Sequence, residues 1–410
     1  MSSALPYDSG EILTDTGDHV RKLTEAWRHI ARRHAAGEAL YNVSGLERGL
    51  PMPGDLDDWV LDDEWSGALF GERLRELGLA HLGGESGRDD VMVANRLTAA
   101  LFAALQVTVV PGATVIGVSP SYSHPAVVRG VRDAGGVLVE TVGAEACARA
   151  LAAHPEVGVV VVTRLAVTYD ALPEADLHRI VADAHAAGAV VVVDDAGGAR
   201  VGPAVLGQPR TLEFGADLGA TGLDKYGVAG PRVGLLGGRA DLVAKARARA
   251  VELGSECRPV LYPSVVRCLD EYRPERVREL IASTRLVGDA LRRRLGDWVE
   301  ETPFITRLPG AGILAEIRRR AAGVPVDLAP IEATAAVAMS LLASEGLLTV
   351  HFAGLPPGTD ALLIKFIPPE TLAELGGAER FAEAIDDALD AVAAMASESG
   401  AYRALLHGAA

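Results

Sequence analysis

Two stretches of this chain carry side chains whose types and spacing can do chemistry. The first is VVVVDDAGG, residues 190–198. Its four valines read as a strand buried on both faces that delivers Asp194 and Asp195 at its carboxyl end, where open parallel sheets form their ligand crevices. A carboxylate there can coordinate magnesium, act as a base, pair with a cationic heterocycle, or merely end the strand and cap the next turn. The second is ADLGATGLDKYGVAGPRVGLLGG, residues 216–238, in which Lys225 stands among small residues, after Thr221 and Asp224. Small residues let backbone approach a ligand closely, so this lysine reads as more than surface charge; a salt-bridged structural lysine is the alternative.

Three further segments end strands or begin helices. VANRLTAALF, residues 93–102, opens a helix whose free N–H groups at Asn95, Arg96 and Leu97 would face an anion, with Arg96 and the Thr98 hydroxyl adding to the cradle. Asn and Thr at such a position also serve purely as caps. SPSYSHPAVVRG, residues 119–130, offers His124, with Tyr122 as the competing choice, as a flat side chain beside the same crevice. VVTRLAVTYD, residues 161–170, places Thr163 and Arg164 at another strand end.

Positioning these groups requires a scaffold, and the hydrophobic pattern describes one. From about residue 90, helical segments alternate with the apolar runs 113–118, 137–142, 157–163 and 189–195. Runs without polar alternation are strands covered on both sides, so the expected fold is α/β, a three-layer sandwich around a mainly parallel sheet. After helices near 238–250 and 275–294, the remainder reads as a small α+β domain. Its parts are apolar runs at 302–307 and 311–317, a helix at 331–345, strands at 347–352 and 360–366, and a terminal helix at 371–396. The expected organisation is an N-terminal helical segment over 1–40, a large domain over 41–275 and a small one over 276–410. Within the first, Val20, Leu23, Trp27 and Ile30 lie on one helical face.

Composition narrows the function classes. The 410 residues carry a formal charge of −16, which opposes nucleic acid and anionic membrane as partners. The three cysteines, Cys147, Cys257 and Cys268, have no C-x-x-C spacing, which points to a reducing compartment without a zinc site or disulfide framework. No apolar core follows the N-terminus and no run is long enough to span a bilayer, so the expected location is cytoplasmic.

With these residues in place, the chain resembles the fold-type I pyridoxal 5′-phosphate (PLP) enzymes. Within them it is most similar to the group of selenocysteine synthase and the D-glucosaminate-6-phosphate ammonia lyases. That family carries S-G-D-K, then G-P-Q and an apolar strand; this chain has T-G-L-D-K at 221–225, A-G-P-R at 229–232 and VGLLGG at 233–238. The similarity spans residues 90–275. It implies that Lys225 carries the cofactor as a Schiff base, that Asp194 keeps the pyridine nitrogen protonated, and that Thr221 and the segment from Asn95 bind the phosphate. His124 would stack on the ring, and Thr163 or Arg164 would meet the ring oxygen or the substrate.

The resemblance further implies a homodimer or higher even oligomer acting on a small amino-acid-like substrate. Three departures stand out: the additional residue in T-G-L-D-K with Arg232 in place of Gln, no obvious nucleic-acid-binding extension and a charge of −16 that suits a small metabolite, and Lys365 where many members bind a substrate carboxylate with arginine. β-Elimination or β-replacement is the favoured reaction. Transamination, epimerisation, aldol cleavage and decarboxylation stay open, as does a non-catalytic sensor of the same fold.

Overall fold

The computed structural model describes residues 6–54 and 56–408. The chain forms two compact units, Glu47–Val277 and Met1–Leu46 with Arg278–Ala410.

The first unit is built on seven strands: β1 (Asp89–Ala94), β2 (Thr114–Ser119), β3 (Val137–Val142), β4 (Val159–Thr163), β5 (Val190–Asp194), β6 (Leu218–Gly222) and β7 (Gly234–Arg239). Their order is β1-β7-β6-β5-β4-β2-β3, and β7 alone runs antiparallel to its neighbours. Between β3 and β4 the chain hops back over β2, and this reversal opens a crevice beyond the carboxyl ends of the strands.

Helices cover both faces. Helix α1 (Asp63–Leu82), α4 (Gly143–Ala153), α5 (Glu174–Ala186) and α7 (Tyr262–Asp270) pack on one. Helix α2 (Leu97–Thr108), α3 (Pro125–Asp133) and α6 (Ala240–Leu253) pack on the other. The valines divide accordingly: Val160, Val162, Val191 and Val193 join the first core, while Val159, Val161 and Val192 join the second. Sequence logic accounts for α5 as an example. Glu174 and Asp176 sit in its first turn, Leu177, Ile180, Val181 and Ala184 fall on the buried stripe, and Gly188 follows at φ +77°.

The three-layer α/β expectation for this region therefore describes the molecule. Helix α1, strands β1 and β6 and helix α7 are additions to the sequence reading.

The second unit holds the three-stranded antiparallel sheet Leu362–Lys365, Ile305–Leu308, Glu300–Glu301 and a set of helices, of which Pro330–Glu345 is the most deeply buried. Helix Thr16–Ala35 packs within it. Several segments depart from expectation: over 347–352 only Leu347–Leu348 is strand and Val350–Phe352 is a 3-10 helix, and Val20 and Trp27 of the expected apolar helix face are exposed. Residues Gly310–Arg320 form a helix, with Ile313, Leu314 and Ile317 buried at helical spacing, rather than an apolar run beside the sheet. The terminal helix is two, Pro369–Leu375 and Ala378–Ala394, because Gly376 and Gly377 both take positive φ. Among the described residues no helix is long and apolar enough to cross a membrane.

Candidate functional site

Strand register and pleat decide which side chains meet. Thr163 of β4 pairs with Asp194 of β5, which pairs with Ala220 of β6. Successive side chains point to opposite faces, so Thr163 and Asp194 emerge with Val161 and Val192, on the face covered by α2. Ser119, two residues beyond Gly117 and four beyond Val115, ends β2 on that same face. All three residues are buried, and Ser119 Oγ, Thr163 Oγ1 and Asp194 Oδ1 each lack a protein hydrogen-bond partner. Three orphaned polar atoms at neighbouring strand ends are unusual in a folded interior.

Lys225 arrives on this face as well. A Cβ placed on Gly222, the last residue of β6, would lie 2.8 Å from Lys225 Cε and 3.3 Å from its Nζ. Glycine at 222 is thus what lets the lysine fold back over the strand end. Gly222 pairs with Gly234 of β7, where a Cβ would fall 2.6 Å from Arg96 O and Leu97 Cα. This second glycine brings the uncapped start of α2 against the sheet beside the lysine.

The electrostatics follow from this placement. Burial pushes the Asp194 carboxyl up to about 7, against the opposing pull of Lys225. Burial likewise lowers the Lys225 ammonium, with Asp224 and Asp194 opposing and Arg200 and Arg232 reinforcing the shift. Arg232 is itself pushed down to about 10, first by withdrawal from water and then by the like charges of Arg48 and Arg96. Arg48 is anchored at 3.3 Å to Asp224. Positive charge therefore gathers beside the start of α2, which suits an anion.

Other expected residues fall elsewhere. The backbone N–H of Asn95 is already used: it donates to Ser255 O at 2.9 Å, its side-chain amide donates to Gly254 O at 3.3 Å, and α2 begins only at Leu97. The unbonded N–H groups of the first turn belong to Leu97, Thr98 and Ala99, with Arg96 at the cap position. Thr221 departs too. It lies opposite Leu235, on the sheet face away from α2, and its hydroxyl donates to Ala196 O at 3.3 Å. His124 caps α3, its Nδ1 accepting from Ala126 N–H at 3.0 Å, and its ring is half-buried beside the strand ends.

Arg164 and Asp195 form a second, separate group on the far face. Arg164 is 1% exposed, lies 3.4 Å from Asp195, and donates to Gly198 O and Pro209 O. Asp195 also accepts from the Thr211 hydroxyl at 2.6 Å. This arrangement fastens loops beneath the site. Lys365 belongs to the second unit, where it ends a strand, is buried, and packs on Gly45.

Sequence reasoning did not single out Ser119, Gly222, Gly234 or Arg48. The S-P-S-Y-S-H segment holds too many polar candidates to choose among without register. Among the described residues, no group of three or more His, Cys, Asp or Glu side chains is placed to hold a metal ion.

No family model matches the chain. It is 32% identical over 359 residues, 86% of its length and 88% of the relative's, to a UPF0425 pyridoxal phosphate-dependent protein of Methanothermobacter thermautotrophicus. It is 27% identical, over 78% of its length and 80% of the relative's, to a protein of the same description from Methanosphaera stadtmanae. Among solved structures it is similar to pyridoxamine-pyruvate aminotransferase from Mesorhizobium loti, with TM-score 0.57, 18% identity, and coverage of 87% of this chain and 96% of that one. Alanine–glyoxylate aminotransferase from Nostoc sp. gives TM-score 0.55 at 16% identity, over 81% and 88% of the two chains. At these identities the structural likeness speaks for the fold.

Proposed function

The chain belongs to the UPF0425 pyridoxal phosphate-dependent proteins, and we propose that it holds PLP on Lys225 and acts at the α-carbon of an amino-acid-like substrate. The observation that carries this reading is the single polar face on which the Lys225 side chain, Asp194 Oδ1, Thr163 Oγ1 and Ser119 Oγ emerge beside the start of α2. The residues fit the group. An unpartnered buried carboxylate suits a protonated ring nitrogen, orphaned hydroxyls suit polar ring substituents, and free N–H groups with Arg48, Arg96 and Arg232 nearby suit a phosphate. When bound, PLP supplies an electron sink that labilises a bond at the substrate α-carbon.

The chain's own residues do the rest. Lys225 holds the cofactor through Nζ and, once released from it, takes and returns a proton there; its lowered ammonium value favours that exchange. Asp194 Oδ1 accepts the ring N–H and keeps the positive charge on the nitrogen. Arg96, Leu97 and Thr98 orient the phosphate, and His124 covers the ring. Thr221 acts one step away, fixing the Ala196 carbonyl behind Asp194.

The reaction we favour is β-elimination or β-replacement on a small metabolite, by a homodimer. The resemblance of T-G-L-D-K and A-G-P-R to the corresponding motifs of the lyase-containing group supports this choice. The test is to incubate PLP-loaded protein with amino acids bearing a β-leaving group, with and without an added keto acid. Release of ammonia and keto acid without acceptor supports elimination, and a β-substituted product formed with an added nucleophile supports replacement. Amino-group transfer to the acceptor, with neither of those products, would replace both by transamination.

A further inference from the structure

Four non-glycine residues of the described chain have positive φ, and two are buried tyrosines in contact: Tyr169 at +65° and Tyr226 at +54°. Tyr226 directly follows Lys225. Positive φ is disfavoured for a bulky side chain, and such outliers persist only where their surroundings hold them. Here the surroundings can be named. Lys225 O accepts from Val228 N–H at 3.3 Å, and both central residues, Tyr226 and Gly227 (φ +89°), lie in the left-handed region. Those signs belong to a type I′ turn, whose first central position ordinarily takes Asn, Asp or Gly.

Three contacts fix the tyrosine in that position. Its hydroxyl is hydrogen-bonded to the Tyr169 hydroxyl, and the two rings meet edge to face with centroids 6.3 Å apart. Its ring lies against Gly197, where a Cβ would come within 2.3 Å of Cε2. The adjoining Gly227 N–H donates at 2.9 Å to Glu47, which is itself paired at 2.8 Å with Arg276. Tyr169 lies six residues past Thr163, Gly197 three past Asp194, and Tyr226 one past Lys225. The pair thus ties together the three loops that follow β4, β5 and β6; the first two begin directly after Thr163 and Asp194, and the third carries Lys225.

We infer that Tyr226 and Tyr169 are positioning residues for Lys225: their hydroxyl–hydroxyl bond holds the turn that folds the lysine back over Gly222. This rests on the assignment of Lys225 as the cofactor lysine for its catalytic meaning, though the positional claim stands on the polypeptide alone. Loosening the turn should let the amine reach water. The charged groups around it, Asp224, Asp194, Arg200 and Arg232, are unchanged by the substitutions below, so relief of burial dominates.

The test uses cofactor-free protein. Competitive acetylation across a pH series, read by peptide mass spectrometry, gives the titration midpoint of Lys225 in wild type, Tyr226→Phe, Tyr169→Phe and the double variant. Both single variants should raise the midpoint by about half a pH unit or more toward the ordinary lysine value. The double variant should add nothing beyond the larger single effect, because all three lack the same bond. Unchanged midpoints in variants that fold would overturn the inference, as would fully additive shifts. If Tyr226→Phe does not fold, Tyr169→Phe removes the bond from the other side and carries the same expectation and the same refutation. A wild-type protein that takes up no PLP at Lys225 would sink the functional reading instead, and leave these midpoints to decide the positional one.

Discussion

Asp194 and Asp195 are consecutive, both buried, and opposite in circumstance. Asp195 leaves the strand toward α1, α4 and α5, where Arg164 stands 3.4 Å away and the Thr211 hydroxyl donates to it. Asp194 leaves toward α2, with Lys225 as its principal opposite charge and Ala196 N–H as a backbone donor; an unpartnered Oδ1 is common to both acids, and the face each enters separates them. One acid is part of the framework, and its neighbour is presented to whatever enters the crevice. A one-residue shift in the pleat separates the two roles, which is why a paired D-D motif cannot be assigned from composition alone.

Conservative substitution should drive the contrast furthest. Asp194→Asn keeps the shape but gives up the charge that would hold a protonated ring nitrogen, and turnover with PLP should fall by about 10²-fold or more. Thermal stability of the cofactor-free variant should match or exceed wild type, since a carboxylate whose burial outweighs the attraction of Lys225 is removed. Asp195→Asn should invert that pattern. It leaves the buried Arg164 charge without its paired carboxylate, held only by the Gly198 and Pro209 carbonyls, and should cost about 3–5 kcal/mol in denaturant unfolding, with turnover per folded molecule much less affected. Equal effects of the two variants on both readouts would erase the distinction.

The pH dependence of stability sharpens it further. The folded Asp194 carboxyl lies near 7 against an ordinary value of 3.8. Between those values the folded state binds the proton more tightly than the unfolded state, so this group stabilises below about pH 4. That contribution is lost as pH rises toward 7, amounting at most to a few kcal/mol. His19, His81 and His351, whose values burial lowers, gain stability over the same range, so the loss should appear in the difference between cofactor-free wild type and Asp194→Asn unfolded from about pH 4 to 7.

A smaller effect is expected at Gly234, where a methyl group would strike the backbone of Arg96 and Leu97. Gly234→Ala should cost about 1–3 kcal/mol, and should weaken binding of PLP by displacing the start of α2. Unchanged PLP affinity, measured by fluorescence titration, would remove that helix start from the site.

Much of this was legible in the sequence because the chemistry sits on strongly patterned elements. The valine run of β5 announces a central strand, and the glycines around Lys225 announce close backbone packing. What stayed hidden depends on register and on three-dimensional neighbours. Thr221 and Gly222 are adjacent in a plausible phosphate motif, yet the pairing of Gly222 with Gly234 turns the glycine toward α2 and the threonine away. Asn95 looked like a helix start, but its N–H is claimed by Ser255, 160 residues away. Helix α1 went unread because its apolar residues do not keep to one side: Leu74, Leu79 and Leu82 are buried while Trp65 and Leu69 are exposed. The helix Gly310–Arg320 is legible in principle from the spacing of Ile313, Leu314 and Ile317, but so short an apolar run fits extended chain equally well.

The central claim concerns one amine among four, since the chain has lysines only at 22, 225, 245 and 365. Burial does not single it out: Lys22, in the second unit, is fully buried, donates to His351 O, and has its ammonium lowered to about 7 by that burial. Incubation with PLP, reduction with borohydride and peptide mass spectrometry would locate the attachment directly. The account predicts a reduced adduct on Lys225 alone, and none after Lys225→Ala. An adduct on Lys22, Lys245 or Lys365 in its place, or no adduct in folded wild-type protein, would contradict it.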